Sequence, residues 1–459
     1  MADRQHARAE RDRAQRPPQA LVDARRRKAE RETAGRGVSG AQTLGRKVVP
    51  LEKRARRTRK AGLTGTDYTL LSLVILMSLY GMVMIFSASS GSALHHYGSS
   101  YYFLVRQAAW FGVGMVALAA LASMDYRKLL KASPLLVIVS LAALAAVLAL
   151  GKEVYGSKRS LVLGPLVIQP SELTKMSLLL FAVYWYGRKK ASLESWREIF
   201  FPVLAVTAAA CLLIILEPDL GSMLIAGLSA FTVLYLAGAK RGKVFVLAVS
   251  SLGLTLLFIR ISHYRWNRFL AFLDPWSAPR EGGFHIIQSL LALGSGRVAG
   301  LGLGMSRQKF FYLPNAHTDF IFSIIGEELG LVGSLTVVGL FAVFIYLGLK
   351  IARGAEDGFG RLLAMGITCV IGAQALVNMG AACGVMPITG ITLPFFSYGG
   401  SSLVICLCLA GILISVSRHG GKAGPGADRR RRRESGDLRR GNRRPPSPPA
   451  RGGRGARIA

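Results

Sequence analysis

The sequence predicts an all-α, polytopic membrane protein, and three observations support this fold class. Hydrophobic residues make up 51% of the 459 residues, and long apolar runs recur through the middle of the chain. A run of about 18 or more apolar residues with almost no charge is typical of a transmembrane helix. The net charge of +33 is concentrated at the ends: residues 1–60 carry 19 Lys or Arg against 7 Asp or Glu, and residues 418–459 carry 14 against 3.

Apolar runs of this kind predict about ten transmembrane helices. The first covers Tyr68–Ser87. The other nine are centred near Gly114, Ala143, Leu180, Val206, Leu228, Leu252, Leu335, Val370 and Leu409.

The distribution of Lys and Arg predicts the topology, because these residues favour short cytoplasmic loops. With the basic N-terminus inside, every second loop carries a basic cluster, whereas the first outer loop, Gly91–Tyr102, carries none. Ten helices return the C-terminus to the cytoplasm, and one large external loop, at about residues 262–318, precedes helix 8. The basic clusters lie at residues 126–131, 188–197, 240–243 and 350–361.

These patterns divide the chain into a membrane domain, residues 65–419, and two tails, residues 1–64 and 420–459. The tails are rich in Arg, Gly and Pro and poor in apolar residues, so we expect them to be disordered in the cytoplasm. The run Arg429–Arg433 is compatible with nucleic acid, but a tail beside anionic lipid is the simpler interpretation. No nucleic-acid partner is therefore expected.

Two predicted external segments contain more cations than the charge rule favours. The second outer loop contains Arg159, and the large external loop contains Arg265, Arg268 and Lys309 among others. Long loops cross the membrane regardless of their charge, so these cations need no special explanation. Alternatively they bind an anion, and Arg suits phosphate because its planar fork contacts two oxygens at once. Both interpretations stay open at this point.

Charged residues within the apolar region are the strongest functional signal, because each costs about 2.5–3.5 kcal/mol at the centre of a bilayer on insertion scales. Glu172 and Lys175 open the fourth helix and are three residues apart, so they can pair on one helix face. Such a pair either stabilises packing or forms part of a polar site. The sequence does not choose between the two.

The stretch LPNAHTDFIFSIIGEELG places Asp319 at the outer start of the eighth helix. An aspartate there either caps the helix or, with nearby Gln308, Lys309 and His317, acts as a general base facing a phosphorylated substrate. Glu327 and Glu328 follow eight and nine residues later. We expect these two to line an interior cavity, where neighbouring glycines allow close helix packing.

Two turn-like segments complete the list of polar motifs. Glu217-Pro218-Asp219 joins two helices with almost no loop, so we expect a structural turn in which Asp219 caps the sixth helix. Ser397 to Ser402, SYGGSS, opens the tenth helix and contains small residues that permit close helix contact.

Taken together and in order, six segments resemble the SEDS family, the shape, elongation, division and sporulation proteins. The resemblance runs from Tyr68 to Ser417, nearly all of the membrane region. Each segment alone is weak, whereas the ordered set is highly specific. The segments are QPSELTK (169–175), PDLG (218–221), YRWNRFLAFLDPW (264–276), QSLLALGSG (288–296), GLGMSRQKFFYLPNAHTDFIFSIIGEELG (302–330) and PITGITLPFFSYGGSS (387–402).

The resemblance implies a peptidoglycan glycosyltransferase that polymerises lipid II, an undecaprenyl-pyrophosphate-linked disaccharide-pentapeptide, at the outer face of the bacterial inner membrane. It implies that Asp319 is the essential aspartate and that the partners are a class B penicillin-binding transpeptidase and other division proteins. Expected substrate contacts are Arg159, Glu172, Lys175, Arg265, Arg268, Gln288, Ser289, Gln308, Lys309, His317, Ser397 and Ser401.

Within the family, Gly326 before the two glutamates and the SYGGSS ending favour the division member, which acts at the septum. The elongation and sporulation members, a lipid II flippase and a non-catalytic division scaffold are the alternatives. A divalent cation can assist at the pyrophosphate, but no metal-ligand spacing predicts a protein site for one. The chain also departs from the family pattern, since Glu217 stands where relatives usually have glutamine and Ser160 where they often have tryptophan.

Overall fold

The computed structural model describes residues 63–154, 157–163, 166–188, 201–280, 282–310 and 312–419. The described residues are mostly helical, which confirms the predicted all-α, multi-pass membrane fold. Almost all of both predicted tails, and most of the basic segment 188–197, lie outside the described residues.

Twelve α-helices follow one another along the described chain. The first six are α1 (Gly65–Tyr97), α2 (Tyr102–Ser123), α3 (Tyr126–Leu150), α4 (Pro170–Arg188), α5 (Val203–Leu216) and α6 (Leu220–Leu236). The others are α7 (Arg241–Ile261), α8 (His263–Leu273), α9 (Phe284–Ser295), α10 (Ile321–Gly354), α11 (Gly358–Ala382) and α12 (Gly400–His419).

Each of the ten predicted helix centres lies inside one of these helices, and α8 and α9 are additional helices within the predicted external loop. Among the described helices, seven have the length and mean hydropathy expected of a membrane-crossing helix: α1, α2, α3, α7, α10, α11 and α12. The helix α4 carries Glu172 and Lys175, while α5 and α6 have only 14 and 17 residues. The count of ten crossings and the topology therefore stay predictions.

A small antiparallel sheet between α3 and α4 was not predicted. Its strands are β1 (Lys152–Val154), β2 (Ser157–Leu163) and β3 (Leu166–Ile168), in the order β1-β2-β3. Leu161 pairs with Ile168 and Leu163 with Leu166, so β2 and β3 form a hairpin. The sheet matters for the site because it holds Arg159 in the middle of β2.

The core of the helical domain lies around α4, α11 and α12. Leu180 of α4, Ile367 of α11 and Leu413 of α12 are all fully buried. By contrast, Val244 is the one residue of α7 that is buried in the described chain. A half-open apolar cavity of about 690 Å³ lies between α5, α6 and α7.

The helix α10 is interrupted at Gly330, whose φ of 68° and ψ of −158° are not helical. The interruption frees backbone groups that pair with residues 296–310, which we name the return segment. Leu301 N donates to Glu327 O at 3.0 Å, and Leu331 N donates to Arg297 O at 2.9 Å. A side chain at Gly330 would collide with the backbone of Val298 and Gly300, so this glycine permits close packing against the return segment.

Candidate functional site

A tight turn immediately before α10 positions Asp319. The carbonyl of Asn315 accepts hydrogen bonds from the backbone N–H of Thr318 and Asp319, each at 3.1 Å. The N-cap of α10 is Phe320, and no side chain caps this end of the helix. The helix-cap interpretation of Asp319 is therefore wrong, and its carboxylate is left for another role.

Three charged side chains surround the carboxyl group of Asp319. Arg159 and Arg268 act on it as nearby positive charges and Asp219 as a negative charge. A Cβ placed on Gly390 would lie 3.6 Å from Asp319 Oδ2 and 3.9 Å from Arg159 Nη1. The absence of a side chain at Gly390, whose φ is +70°, thus leaves space between the carboxylate and the guanidinium.

The pKa of Asp319 is raised to about 6, chiefly because burial disfavours the charged form, with Asp219 adding to the shift. Arg159, Arg268 and a hydrogen bond with Thr318 oppose the rise. A carboxyl with a pKa just below neutrality is ionised at pH 7 and still basic enough to accept a proton, as general-base catalysis requires.

The helix α11 connects Asp319 to the polar pair on α4. Asn378 Nδ2 donates to Asp319 O at 2.8 Å and to Ile391 O at 2.7 Å. One helical turn earlier, Gln374 Oε1 accepts from Lys175 Nζ at 3.4 Å, and its Nε2 donates to Thr392 O at 3.0 Å. The two predicted charged sites are therefore joined through one face of α11.

The predicted pairing of Glu172 with Lys175 is confirmed, with Nζ lying 2.7 Å from Glu172 Oε1. Both residues are buried, at 6% and 4% exposure. Breaking such a pair leaves an uncompensated buried charge, so the loss of either residue alone is expected to destabilise the helix packing around the site.

The turn between α5 and α6 contributes Asp219 to the site. Its Oδ1 accepts from Ser222 N at 2.9 Å, so the predicted capping of the sixth helix is confirmed. Its Oδ2 accepts from Gln169 Nε2 at 3.1 Å and lies 4.0 Å from Arg159 Nη1. Asp219 thus caps a helix and also holds Arg159 beside Asp319, a second role that we did not expect.

His317 lies two residues before Asp319 and is buried against aromatic rings. Its imidazole is 4.5 Å from the ring centroid of Phe103 and 5.6 Å from that of Tyr398. Burial lowers the pKa of His317 to about 4, so the ring is neutral at pH 7. Its Nε2 has no hydrogen-bond partner among the described residues.

Several predicted contact residues have mainly local roles in the structure. Ser397 Oγ donates to Thr318 O at 2.5 Å, and Ser401 Oγ donates to Val167 O at 3.2 Å. Ser289 Oγ donates to Ala382 O at 2.7 Å. The contacts predicted between substrate and these serines, together with Gln288 and Gln308, stay predictions.

Arg265 and Arg268 differ in their surroundings, although both lie on α8. Arg265 Nη2 donates to the carbonyl of Ile215 at the end of α5, at 3.2 Å. Arg268 instead contributes positive charge at Asp319 and at His285. The structure therefore associates Arg268 with the candidate site more closely than Arg265.

Glu327 and Glu328 do not line an open cavity as expected, because each binds the return segment. Glu327 accepts hydrogen bonds from the Ser306 hydroxyl and from Arg307 N, the latter at 2.9 Å. Glu328 Oε1 lies 3.1 Å from Lys309 Nζ and 2.6 Å from Ser87 Oγ. These contacts explain why two carboxylates lie inside the helix.

Lys309 is consequently part of the Glu328 network. Its Nζ also donates to Gly304 O at 2.6 Å, and the side chain is only 3% exposed. With its ammonium engaged in this way, Lys309 anchors the return segment, which argues against a direct role in substrate binding.

Sequence reasoning missed the contributions of Gln374, Asn378, Gly390 and Gln169. A signal existed for the first two, because Gln374 and Asn378 are polar residues four apart in the apolar run of α11, on one helix face. Gly390 carries no comparable signal, since its importance follows from its distance to Asp319.

The described residues contain no group of three or more His, Cys, Asp or Glu side chains that would hold a metal ion. Magnesium usually needs only one or two protein carboxylates when a substrate phosphate supplies further oxygens. The acidic groups Asp219 and Asp319 are compatible with such a shared site, so the expected divalent cation stays a prediction.

The fold and the site together define a multi-pass membrane protein with a polar site built from the loop before α10, a small sheet and the ends of several helices. The chain belongs to the FtsW, RodA and SpoVE family of cell cycle proteins, whose family model matches residues 67–422.

Similar proteins carry related names. Stage V sporulation protein E of Bacillus subtilis is 37% identical over 358 residues, covering 78% of this chain and 98% of that protein. The probable peptidoglycan glycosyltransferase FtsW of Nitrosococcus halophilus is 41% identical over 352 residues, covering 75% and 90%.

Two solved structures share the fold. A peptidoglycan synthase complex that coordinates polymerization and crosslinking matches with a TM-score of 0.63 and 30% identity, covering 76% of this chain and 97% of that one. The rod shape determining protein RodA of Thermus thermophilus matches with a TM-score of 0.57 and 28% identity, covering 77% and 97%.

Proposed function

We propose that this chain is a peptidoglycan glycosyltransferase that polymerises lipid II into glycan strands. The observation that carries the proposal is the carboxyl of Asp319, with its raised pKa, next to Arg159 and within the influence of Arg268. A base beside cations suits a reaction in which a sugar hydroxyl attacks and a diphosphate leaves. The relatives named as peptidoglycan glycosyltransferases support the same activity.

In the proposed mechanism, the 4-hydroxyl oxygen of the acceptor sugar forms a bond to the anomeric carbon of the donor. The bond from that carbon to the diphosphate oxygen breaks, and its electron pair leaves with undecaprenyl pyrophosphate. Asp319 accepts the hydroxyl proton, and the side chains of Arg159 and Arg268 stabilise the charge on the leaving group. A single displacement of this kind inverts the anomeric configuration.

The apolar cavity between α5, α6 and α7 supports a lipid-linked substrate. Its lining includes Ile215 and Met223, which flank the turn that carries Asp219. An apolar cavity with one end beside this turn offers room for the hydrocarbon chain of a substrate whose head group would lie at Asp319.

We also propose that the strands are made at the division septum of the bacterial inner membrane, together with a class B penicillin-binding transpeptidase and other division proteins. The relatives named FtsW support the assignment to the division member, and the solved synthase complex, which coordinates polymerization and crosslinking, supports a crosslinking partner. Elongation is the second candidate, because RodA has the same fold. Depletion in the native bacterium separates the two, since loss of a septal enzyme gives filaments and loss of an elongation enzyme gives rounded cells.

The activity is tested with the purified chain and lipid II, alone and with its transpeptidase. We expect glycan strands from the wild type and a loss of about 10²–10⁴-fold in rate for Asp319→Asn, which removes the base but keeps the shape. The variant should still bind the transpeptidase, which serves as the control for folding.

Polymerisation by Asp319→Asn within a few-fold of the wild-type rate would exclude the proposed base. Lipid II movement across proteoliposome membranes without strand synthesis would favour the flippase instead.

A further inference from the structure

The turn between α5 and α6 brings a further carboxyl group, Glu217, next to the candidate site. Glu217 and Asp219 are 1% and 2% exposed. A Cβ added to Gly221 in the first turn of α6 would collide with the carbonyl of Thr389, the residue before Gly390. The turn therefore packs against the same loop that lies beside Asp319.

The two carboxyl groups of this turn have different surroundings. Asp219 accepts hydrogen bonds from Ser222 N and Gln169 Nε2 and lies near Arg159. Neither side-chain oxygen of Glu217 has a hydrogen-bond partner among the described residues. The donors around the turn thus stabilise a negative charge on Asp219 and give none of this stabilisation to Glu217.

An ionised carboxylate that is buried without donors is costly, and such a group normally takes up a proton instead. Two neighbouring carboxyl groups also resist a second ionisation. The facing charges are Asp219 and Arg159, while Arg265 is bonded to the Ile215 carbonyl two residues before Glu217. Burial and Asp219 raise the pKa of Glu217 to about 8, and Arg159 opposes the rise.

We propose that Glu217 is a positioning residue that stays protonated at neutral pH. It therefore does not compete for Arg159, whose guanidinium interacts with Asp219, Asp319 and an anionic oxygen of the substrate. This role rests on the proposed function, in which a lipid-linked diphosphate supplies that oxygen. When Glu217 loses its proton, a further carboxylate competes for Arg159. The substrate then binds more weakly, while proton transfer to Asp319 is less affected.

The first test compares the pH dependence of lipid II polymerisation in the wild type, Glu217→Gln and Glu356→Gln. Glutamine has the shape of a neutral glutamate and cannot ionise, whereas Glu356 is exposed between α10 and α11 and serves as the matched control. We expect the wild-type KM to rise roughly tenfold between about pH 7 and pH 9, the effect of about one pKa unit of interaction, with kcat little changed.

In the same series, Glu217→Gln should match the wild type at pH 7 and show no rise in KM, while Glu356→Gln should follow the wild type throughout. A KM rise of the same size in Glu217→Gln, or loss of its activity at pH 7, would overturn the proposal.

The second test does not depend on activity. An infrared difference spectrum between the wild type and Glu217→Gln at pH 7 should contain the carbonyl band of a protonated carboxylic acid, and in the wild type this band should disappear above about pH 8. Absence of the band at pH 7 would refute a protonated Glu217. A clear band in protein that makes no glycan strands would instead count against the proposed function.

Discussion

At the scale of single residues, the site combines carboxyl groups whose surroundings give them different tasks. Asp319 is partly buried and close to two arginines. Both side-chain oxygens of Asp219 accept hydrogen bonds, whereas those of Glu217 accept none from the described residues. Environments that separate the proton affinities of neighbouring carboxyls are a usual feature of acid–base sites. Side-chain type alone would have treated the three as equivalent.

The pKa of Asp319 predicts how kcat/KM decreases at acidic pH. Because burial raises this pKa to about 6, a growing fraction of Asp319 is protonated as the pH falls through that value, and a protonated carboxyl cannot accept the hydroxyl proton. We expect kcat/KM to decrease below about pH 6 with the slope of a single proton. A rate that stays constant down to pH 5 would contradict the assignment of Asp319 as the base.

The two arginines of α8 provide a matched pair of substitutions. Arg268→Ala removes a positive charge that acts on Asp319, whereas Arg265→Ala removes a bond to the Ile215 carbonyl. We expect the first to lower kcat/KM for lipid II by about 10- to 100-fold, the usual range for a charged contact, and the second to have a smaller effect. Equal losses in both variants would show that α8 acts as a unit.

At the scale of elements, the interrupted helix α10 and the return segment support each other. The break at Gly330 exposes backbone groups, and the return segment supplies their partners. In a membrane protein such a break is tolerated where other protein groups satisfy the backbone. Glu327 and Glu328 extend this attachment from the backbone to the side chains of Ser306 and Lys309.

A double substitution tests this attachment. Lys309→Met and Glu328→Gln each leave one buried partner without its counterpart, which typically costs roughly 3–5 kcal/mol. The double variant leaves no unpaired charge, so we expect it to be more stable than either single variant. Thermal unfolding in detergent, followed by size-exclusion chromatography, measures the effect. A double variant no better than the worse single variant would refute a direct pair.

At this scale, most helices could be predicted from the sequence, whereas the small sheet could not. Helices were predictable because a membrane-crossing helix needs about 20 mostly apolar residues, which are visible in the sequence. The Glu172–Lys175 pair was predictable because residues three apart lie on one helix face. The sheet that holds Arg159 was missed, since its strands have only 3, 7 and 3 residues. Its one local signal was Gly164-Pro165 between two apolar runs.

At the scale of the whole molecule, the predicted topology places Asp319 at the outer face, where lipid II would be used. Single cysteines in a cysteine-free background test it with a membrane-impermeant reagent. Ser99 lies between α1 and α2 and Glu356 between α10 and α11, and both are exposed. We expect the reagent to label Ser99→Cys in intact cells and to label Glu356→Cys only after the membrane is permeabilised.

Labelling of both positions from outside, or of Glu356→Cys alone, would overturn the topology and with it the external location of the reaction. The basic segment at residues 188–197 is predicted to lie inside as well, but most of it is outside the described residues.

The sequence by itself determined the membrane class, the positions of ten of the twelve described helices and the candidate aspartate, because hydropathy, charge bias and short motifs are local properties of the chain. Only the tertiary structure decided which charges meet. Arg159, Asp219 and Asp319 come from a strand, a helix turn and a loop that are distant in the sequence. The proton affinity of a carboxyl depends on its burial and on the donors and charges around it, and these are supplied by packing. For that reason carboxyl side chains of similar chemistry have different tasks: Asp319 is the proposed base, Asp219 caps a helix and Glu328 anchors the return segment.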